Sequence, residues 1–142
     1  MKIDTTTDEF LGGRLIIRQP KTGYRAGVDP VLLAASIPAR SGESILELGC
    51  GVGVASLCLA LRIEGVSVTG VEILPQIAQL ARDNAQANGL AMQVLAGDIA
   101  DMPIELRNLQ FDHIMANPPY FDRRRGSVAP SVLKERSRGE QT

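Results

Sequence analysis

The chain has 142 residues, of which 44% are hydrophobic and 22% charged, with a net charge of −1. That is enough for one domain with an ordinary core, and the near-neutral balance excludes a strongly basic or acidic binding module. No apolar run is long enough to span a bilayer, and Met1 to Glu9 is polar, so neither a membrane helix nor a signal peptide is expected.

The charge is uneven. Residues 1–120 hold 9 Lys and Arg against 13 Asp and Glu, whereas residues 121–142 hold 6 against 3, so a mildly acidic body precedes a basic tail. Two cysteines, Cys50 and Cys58, lack zinc-site spacing and are too few for a disulfide framework, which points to buried thiols in a reducing cytoplasm.

In chain order, residues 1–10 are polar and are expected to be loosely held. Arg14 to Gln19 is a short β-branched run followed by the turn-forming Pro20-Lys21-Thr22-Gly23-Tyr24, and the two suggest a small β-hairpin ahead of the main domain. Asp29-Pro30 opens a helix, with Asp as the expected N-cap and Pro at the first helical position, and Pro38 ends it. Ile45 to Leu48 is a buried strand, and Val54 to Ile63 an apolar helix. Val66 to Val71 is a second strand, Leu74-Pro75 to Asn88-Gly89 a second helix of this unit, and Met92 to Ala96 a third strand. A short connection interrupted by Pro103 leads to a fourth strand, Phe111 to Ala116. Residues 121–142 show little apolar periodicity and are expected to be a mobile tail. Strands alternating with helices imply parallel βαβ units, an α/β class, with ligands beyond the C-terminal ends of the strands.

Chemistry-bearing residues gather at those ends. Glu47-Leu48-Gly49-Cys50-Gly51-Val52-Gly53 is a strand, a glycine turn and a helix start, where the backbone can approach a ligand and unpaired helix N–H groups face it. The spacing is G-x-G-x-G, because Val54 stands where the dinucleotide fingerprint needs its third glycine. Glu47, two residues before Gly49, would repel a pyrophosphate and attract a cation. Glu72 ends the second strand nineteen residues after Gly53, the expected place for an acid that accepts from ribose hydroxyls. Asp98 follows the third strand and Asn117-Pro118-Pro119-Tyr120 the fourth. His113, the only histidine, is expected to be packed mid-strand and is assigned no role.

The glycine stretch resembles the first motif of the Rossmann-like S-adenosylmethionine-dependent methyltransferases. Asn117-Pro118-Pro119-Tyr120 resembles the N-P-P-Y signature of those that methylate a planar exocyclic or amide nitrogen. Such a nitrogen is a poor nucleophile. The Asn117 side-chain oxygen and the Pro118 carbonyl could hold its two hydrogens and aim its lone pair at the sulfonium methyl, while Tyr120 stacks on a flipped or single-stranded base. The resemblance implies that Glu47, Gly49, Gly51, Gly53, Glu72 and Asp98 hold S-adenosylmethionine, with Asp98 accepting from the adenine. Tyr24 to Ala34 resembles the segment that helps close the cofactor pocket in bacterial N6-adenine methyltransferases. The nearest resemblance is to the bacterial enzymes that methylate adenine N6 in the anticodon loop of valine tRNA, which implies an RNA substrate. Arg123 to Arg125 are then either phosphate contacts or a solvated loop.

Alternatives are a protein N5-glutamine methyltransferase, which shares N-P-P-Y, and a cofactor-binding fragment without turnover. The family fold has seven strands, whereas this chain supplies four and the hairpin. A truncated chain is therefore expected, with continuation of residues 121 onward in a longer natural chain, or pairing of another chain along the open sheet edge, as the other outcomes.

Overall fold

The structure, a computed structural model, describes residues 3–23 and 26–116. It begins with a hairpin, β1 (Thr5–Phe10) and β2 (Leu15–Pro20), paired antiparallel from Thr5↔Pro20 to Phe10↔Leu15. The stretch expected to be loose is thus a strand. Three consecutive threonines favour extended backbone, and Leu11-Gly12-Gly13 makes the reversal at positive φ. The hairpin turns before Arg14, not after Pro20.

Helix α1 (Asp29–Ser36) follows, with Asp29 in its first turn and Val28 at the N-cap, so the expected aspartate cap is displaced by one residue. The parallel sheet is built from β3 (Ser44–Leu48), β4 (Ser67–Glu72), β5 (Gln93–Ala96) and β6 (His113–Ala116), in the order β5-β4-β3-β6. Helices α2 (Val54–Arg62), α3 (Pro75–Ala87) and the short α4 (Ile104–Arg107) make the crossovers.

Strand alternation sorts the side chains between two faces. Ile45, Val68 and Met115 pack with Leu57 of α2, Leu80 of α3 and Leu33 of α1. Leu46 and Val71 pack on the other face with Leu106 of α4. Helices therefore cover both faces, and the fold is the Rossmann-like α/β class expected. Leu15 and Ile17 of β2 are fully buried against the first of these clusters, so the hairpin is part of the core.

Local sequence explains the ends of α3. Pro75 stands in its first turn. At the other end Gly89 takes φ +65°, its N–H donates to the Gln86 carbonyl, and the Leu90 N–H donates to Ala85, the double closure of a Schellman motif. Arg82 of α3 donates twice to the Val94 carbonyl, at 3.1 and 2.9 Å, tying the edge strand β5 to the helix. On the other side, β6 pairs with β3 alone among the described residues.

Candidate functional site

The register aligns four strand ends. Leu48 lies opposite Val71 and Ala116, and Glu72 opposite Ala96. The glycine turn, Glu72, the Gly97-Asp98 turn and the last described residue before Asn117 are therefore neighbours along one edge of the sheet.

The turn is held from beneath by β4. The N–H groups of Gly49 and Cys50 both donate to the Val71 carbonyl, at 2.8 and 3.0 Å. The Gly51 N–H donates to Glu72 Oε1 at 2.9 Å, and the Gly53 N–H closes the turn onto Cys50 at 3.0 Å. Gly51, at φ +56°, occupies the first central position of that turn, where a side chain would be strained. Among the described residues no heavy atom outside its chain neighbours lies within 4 Å of where its Cβ would stand, so space is open above it. Gly53 takes φ +98° as the N-cap of α2. Gly70, beneath the turn, is needed for a different reason: a Cβ there would meet Cys50 Sγ at 2.7 Å and the Met92 methyl at 2.8 Å.

Glu47 points to the α2 face and is fully buried. Its Oε1 accepts from the Ser56 hydroxyl at 2.6 Å, and its Oε2 has no partner among the described residues. Burial pushes its carboxyl up to about 8, with the nearby Glu72 adding a little and the Ser56 hydrogen bonds pulling the other way. Glu47 therefore lies under the turn with its proton retained at neutral pH, and does not stand at the strand end as an open carboxylate. Glu72 is nearly buried, and its second oxygen accepts from the Leu74 N–H at 3.1 Å. Asp98 is exposed, and its Oδ1 accepts from the Ala100 N–H at 2.9 Å within its own turn. Burial also raises both thiols, Cys50 beyond the usual range and Cys58 to about 11, so neither is a nucleophile here.

Three residues not singled out from the sequence belong to this edge. Ile73 and Leu74 directly follow Glu72, Ile99 directly follows Asp98, and all three are about half exposed despite being large and apolar. The Gly97 N–H donates to the Glu72 carbonyl at 2.9 Å, which brings the two segments together. An apolar residue directly after each strand-end acid was a readable signal: it offers a wall for a planar ring beside a hydrogen-bond acceptor.

Asn117, Pro118 and Tyr120, with Arg123 to Arg125 and the tail, lie outside the described residues, as do Tyr24 and Arg25. His113 lies at the other end of β6, its Nε2 3.0 Å from Glu43 Oε1, away from the site. A groove of about 660 Å³ between α3 and the starts of β4 and β5, lined by Thr69, Arg82, Gln86 and Met92 among others, is also at that far end. Among the described residues no cluster of His, Cys, Asp and Glu could hold a metal, and no helix is long and apolar enough to cross a membrane.

Among solved structures, the chain is similar to a T. thermophilus 16S rRNA methyltransferase determined with AdoMet and guanosine (TM-score 0.65, 24% identity, 83% of this chain and 33% of that one). It is also similar to a SAM-dependent methyltransferase from Agrobacterium tumefaciens (TM-score 0.60, 21% identity, 83% and 41%). At these identities the likeness is one of fold. Curated relatives include proteins named tRNA1(Val) (adenine(37)-N6)-methyltransferase from Porphyromonas gingivalis (37% identity over 96% of this chain and 56% of the relative) and Actinobacillus succinogenes (39% over 79% and 48%). The chain thus spans about half the length of these relatives. The profile of the methyltransferase small domain matches residues 25–136, the stretch that carries the glycine turn, Glu72, Asp98 and Asn117. The chain belongs to the methyltransferase small domain family.

Proposed function

We propose that residues 1–142 form one domain, the cofactor-binding part of an S-adenosylmethionine-dependent methyltransferase acting on the exocyclic N6 of an adenine in tRNA, in the cytoplasm. The observation that carries the reading is the edge where the glycine turn, Glu72, the Asp98 turn and the entry to Asn117 stand side by side. The names of the curated relatives supply the substrate class.

The residues present suit the cofactor. It brings an adenosine, a sulfonium and an ammonium, and no phosphate. Each oxygen of Glu72 accepts one backbone N–H, which leaves lone pairs for ribose hydroxyls. Ile73 and Ile99 offer apolar walls to an adenine ring, and Asp98 an acceptor for its amine. The open space over Gly51 lets the backbone come close. Glu47, whose Oε2 has no partner among the described residues, is a buried acid that a nearby cation would help to ionise.

When bound, the cofactor supplies a methyl group on a positively charged sulfur. The work of the chain is positioning. In this reading Asn117 and the Pro118 carbonyl, which lie outside the described residues, would accept the two hydrogens of the amine and Tyr120 would stack on the base. Positive charge developing on the nitrogen would strengthen those bonds. Pairing of another chain along the outer edge of β6 belongs to the same reading.

Transfer of labelled methyl from S-adenosylmethionine to unmodified tRNA, followed by digestion to nucleosides, tests this. Label in N6-methyladenosine is expected. Label on a glutamine of release-factor protein with tRNA blank would replace the reading by the glutamine alternative, and cofactor binding with every substrate blank would leave a binding module. Asn117→Ala is expected to lower turnover strongly while keeping cofactor affinity.

A further inference from the structure

The hairpin is docked by side-chain amides that imitate a strand. The Ile16 N–H donates to Asn88 Oδ1 at 2.9 Å, and Asn88 Nδ2 donates back to the Ile16 carbonyl at 2.7 Å. Two residues along β2, the Arg18 N–H donates to Asn84 Oδ1 at 2.9 Å, and Asn84 Nδ2 donates to the Arg18 carbonyl at 3.0 Å. The match is geometric. Two residues of strand advance about 6.7 Å, and four residues of helix about 6 Å, so amides at i and i+4 of α3 meet alternate peptides of β2.

The two asparagines differ in their third bond. Asn88 spends it on its own helix, at the Asn84 carbonyl (2.7 Å). Asn84 donates it to the Val52 carbonyl at 2.9 Å, inside the glycine turn, and is itself 2% exposed. That carbonyl shares a peptide plane with the Gly53 N–H, which closes the turn onto Cys50. One buried side chain thus fixes a peptide of the turn and an edge of the hairpin at once. The hairpin reaches the segment before α1 as well. Buried Gln19 accepts from the Ala26 N–H at 2.8 Å, and its Nε2 donates to Asp8 at 2.8 Å.

We propose that Asn84 is a positioning residue that couples the β1–β2 hairpin to the glycine turn. Docking of the hairpin holds the turn in its binding shape, and a nucleoside-type ligand seated over the turn tightens the hairpin in return. The reciprocity follows from linkage. The ligand half rests on the function proposed above, and the coupling half on the hydrogen bonds alone.

Amide-resolved hydrogen exchange on the wild type, Asn84→Ala and Asn88→Ala, with and without S-adenosylhomocysteine, tests both halves. Both substitutions are expected to speed exchange on β2. Only Asn84→Ala is expected to speed exchange of the Gly53 amide, by about tenfold for the loss of one buried hydrogen bond. With the ligand, the Arg18 amide slows in the wild type and in Asn88→Ala but not in Asn84→Ala. Gly53 exchanging at the wild-type rate in Asn84→Ala, or equally fast in both variants, would overturn the coupling. If the ligand alters no amide in any of the three proteins, the ligand half fails together with the reading of the site, while the Gly53 comparison still decides the coupling. Asn84→Asp, which keeps the acceptor for Arg18 and removes both donors, gives the same comparison if alanine prevents folding.

Discussion

Glu47→Gln probes a buried carboxyl whose proton is held well above the ordinary carboxylate range. The acid is fully buried, one oxygen has no partner among the described residues, and its folded value of about 8 stands against an ordinary 4.5. The folded protein therefore holds this proton more tightly than the unfolded chain does. The contribution to stability is greatest below the unfolded value, declines as pH rises, and levels off once the folded value is passed. At about 1.4 kcal/mol per pH unit between the two values, the loss amounts to about 3 kcal/mol at pH 7 and about 5 kcal/mol at full ionisation. Glutamine has nearly the same shape and does not titrate. Its amide leaves a buried donor near the same spot, which costs about 1–3 kcal/mol at every pH. The quantity that tests the argument is therefore the slope and not the offset. Urea unfolding from about pH 5 to about pH 8.5 should show the wild type losing stability relative to Glu47→Gln by about 1.4 kcal/mol per pH unit below the folded value. Two parallel curves would refute the assignment of a retained proton.

Other expectations follow from the same geometry. Gly70→Ala puts a methyl within 2.8 Å of both Cys50 Cβ and the Met92 methyl, so it should lower stability by about 1–3 kcal/mol and disturb the turn; an unchanged melting temperature contradicts the packing. The His113 hydrogen bond, with the Arg40 N–H second, holds Glu43 below the ordinary carboxylate range. That pair stabilises the fold above the ordinary value and ceases to do so as pH falls through the lowered one. In His113→Gln the Glu43 carboxyl, followed by carbon NMR, should titrate closer to 4.5. A sulfonium over the turn favours ionised Glu47, so the affinity for S-adenosylmethionine relative to S-adenosylhomocysteine, whose sulfur is a neutral thioether, should rise with pH up to about 8; a flat ratio in calorimetry contradicts it.

The parts of the fold set by short-range pattern could be read before any coordinates. Ile45 to Gly53 announces a strand, a turn and a helix because three glycines interrupt two apolar runs, and Asn88-Gly89 announces a helix end because glycine takes the left-handed position there. The Rossmann-like architecture and the family followed from these motifs. What stayed hidden depends on partners far away in sequence. Thr5 to Phe10 looks like a polar tail until β2 is beside it. The bonds of Asn84 and Asn88 to β2 could not be read, because their partners lie 66 and 72 residues away. Gly70 reads as a weak point in a strand until the side chains of Cys50 and Met92 are seen packed over it. Glu47 could be read as an acid near a strand end, but its burial under Ser56 could not, because helix α2 supplies the covering.

The proposed function seats a nucleoside with a positively charged methyl donor over Gly51, its ribose on Glu72. Titration calorimetry of the chain with S-adenosylmethionine measures this directly, with Glu72→Ala as the comparison. One bound equivalent in the wild type, weakened at least tenfold in Glu72→Ala while the variant stays folded by circular dichroism, is the predicted result. No heat of binding in the folded wild type, or equal affinity in both proteins, would contradict the account.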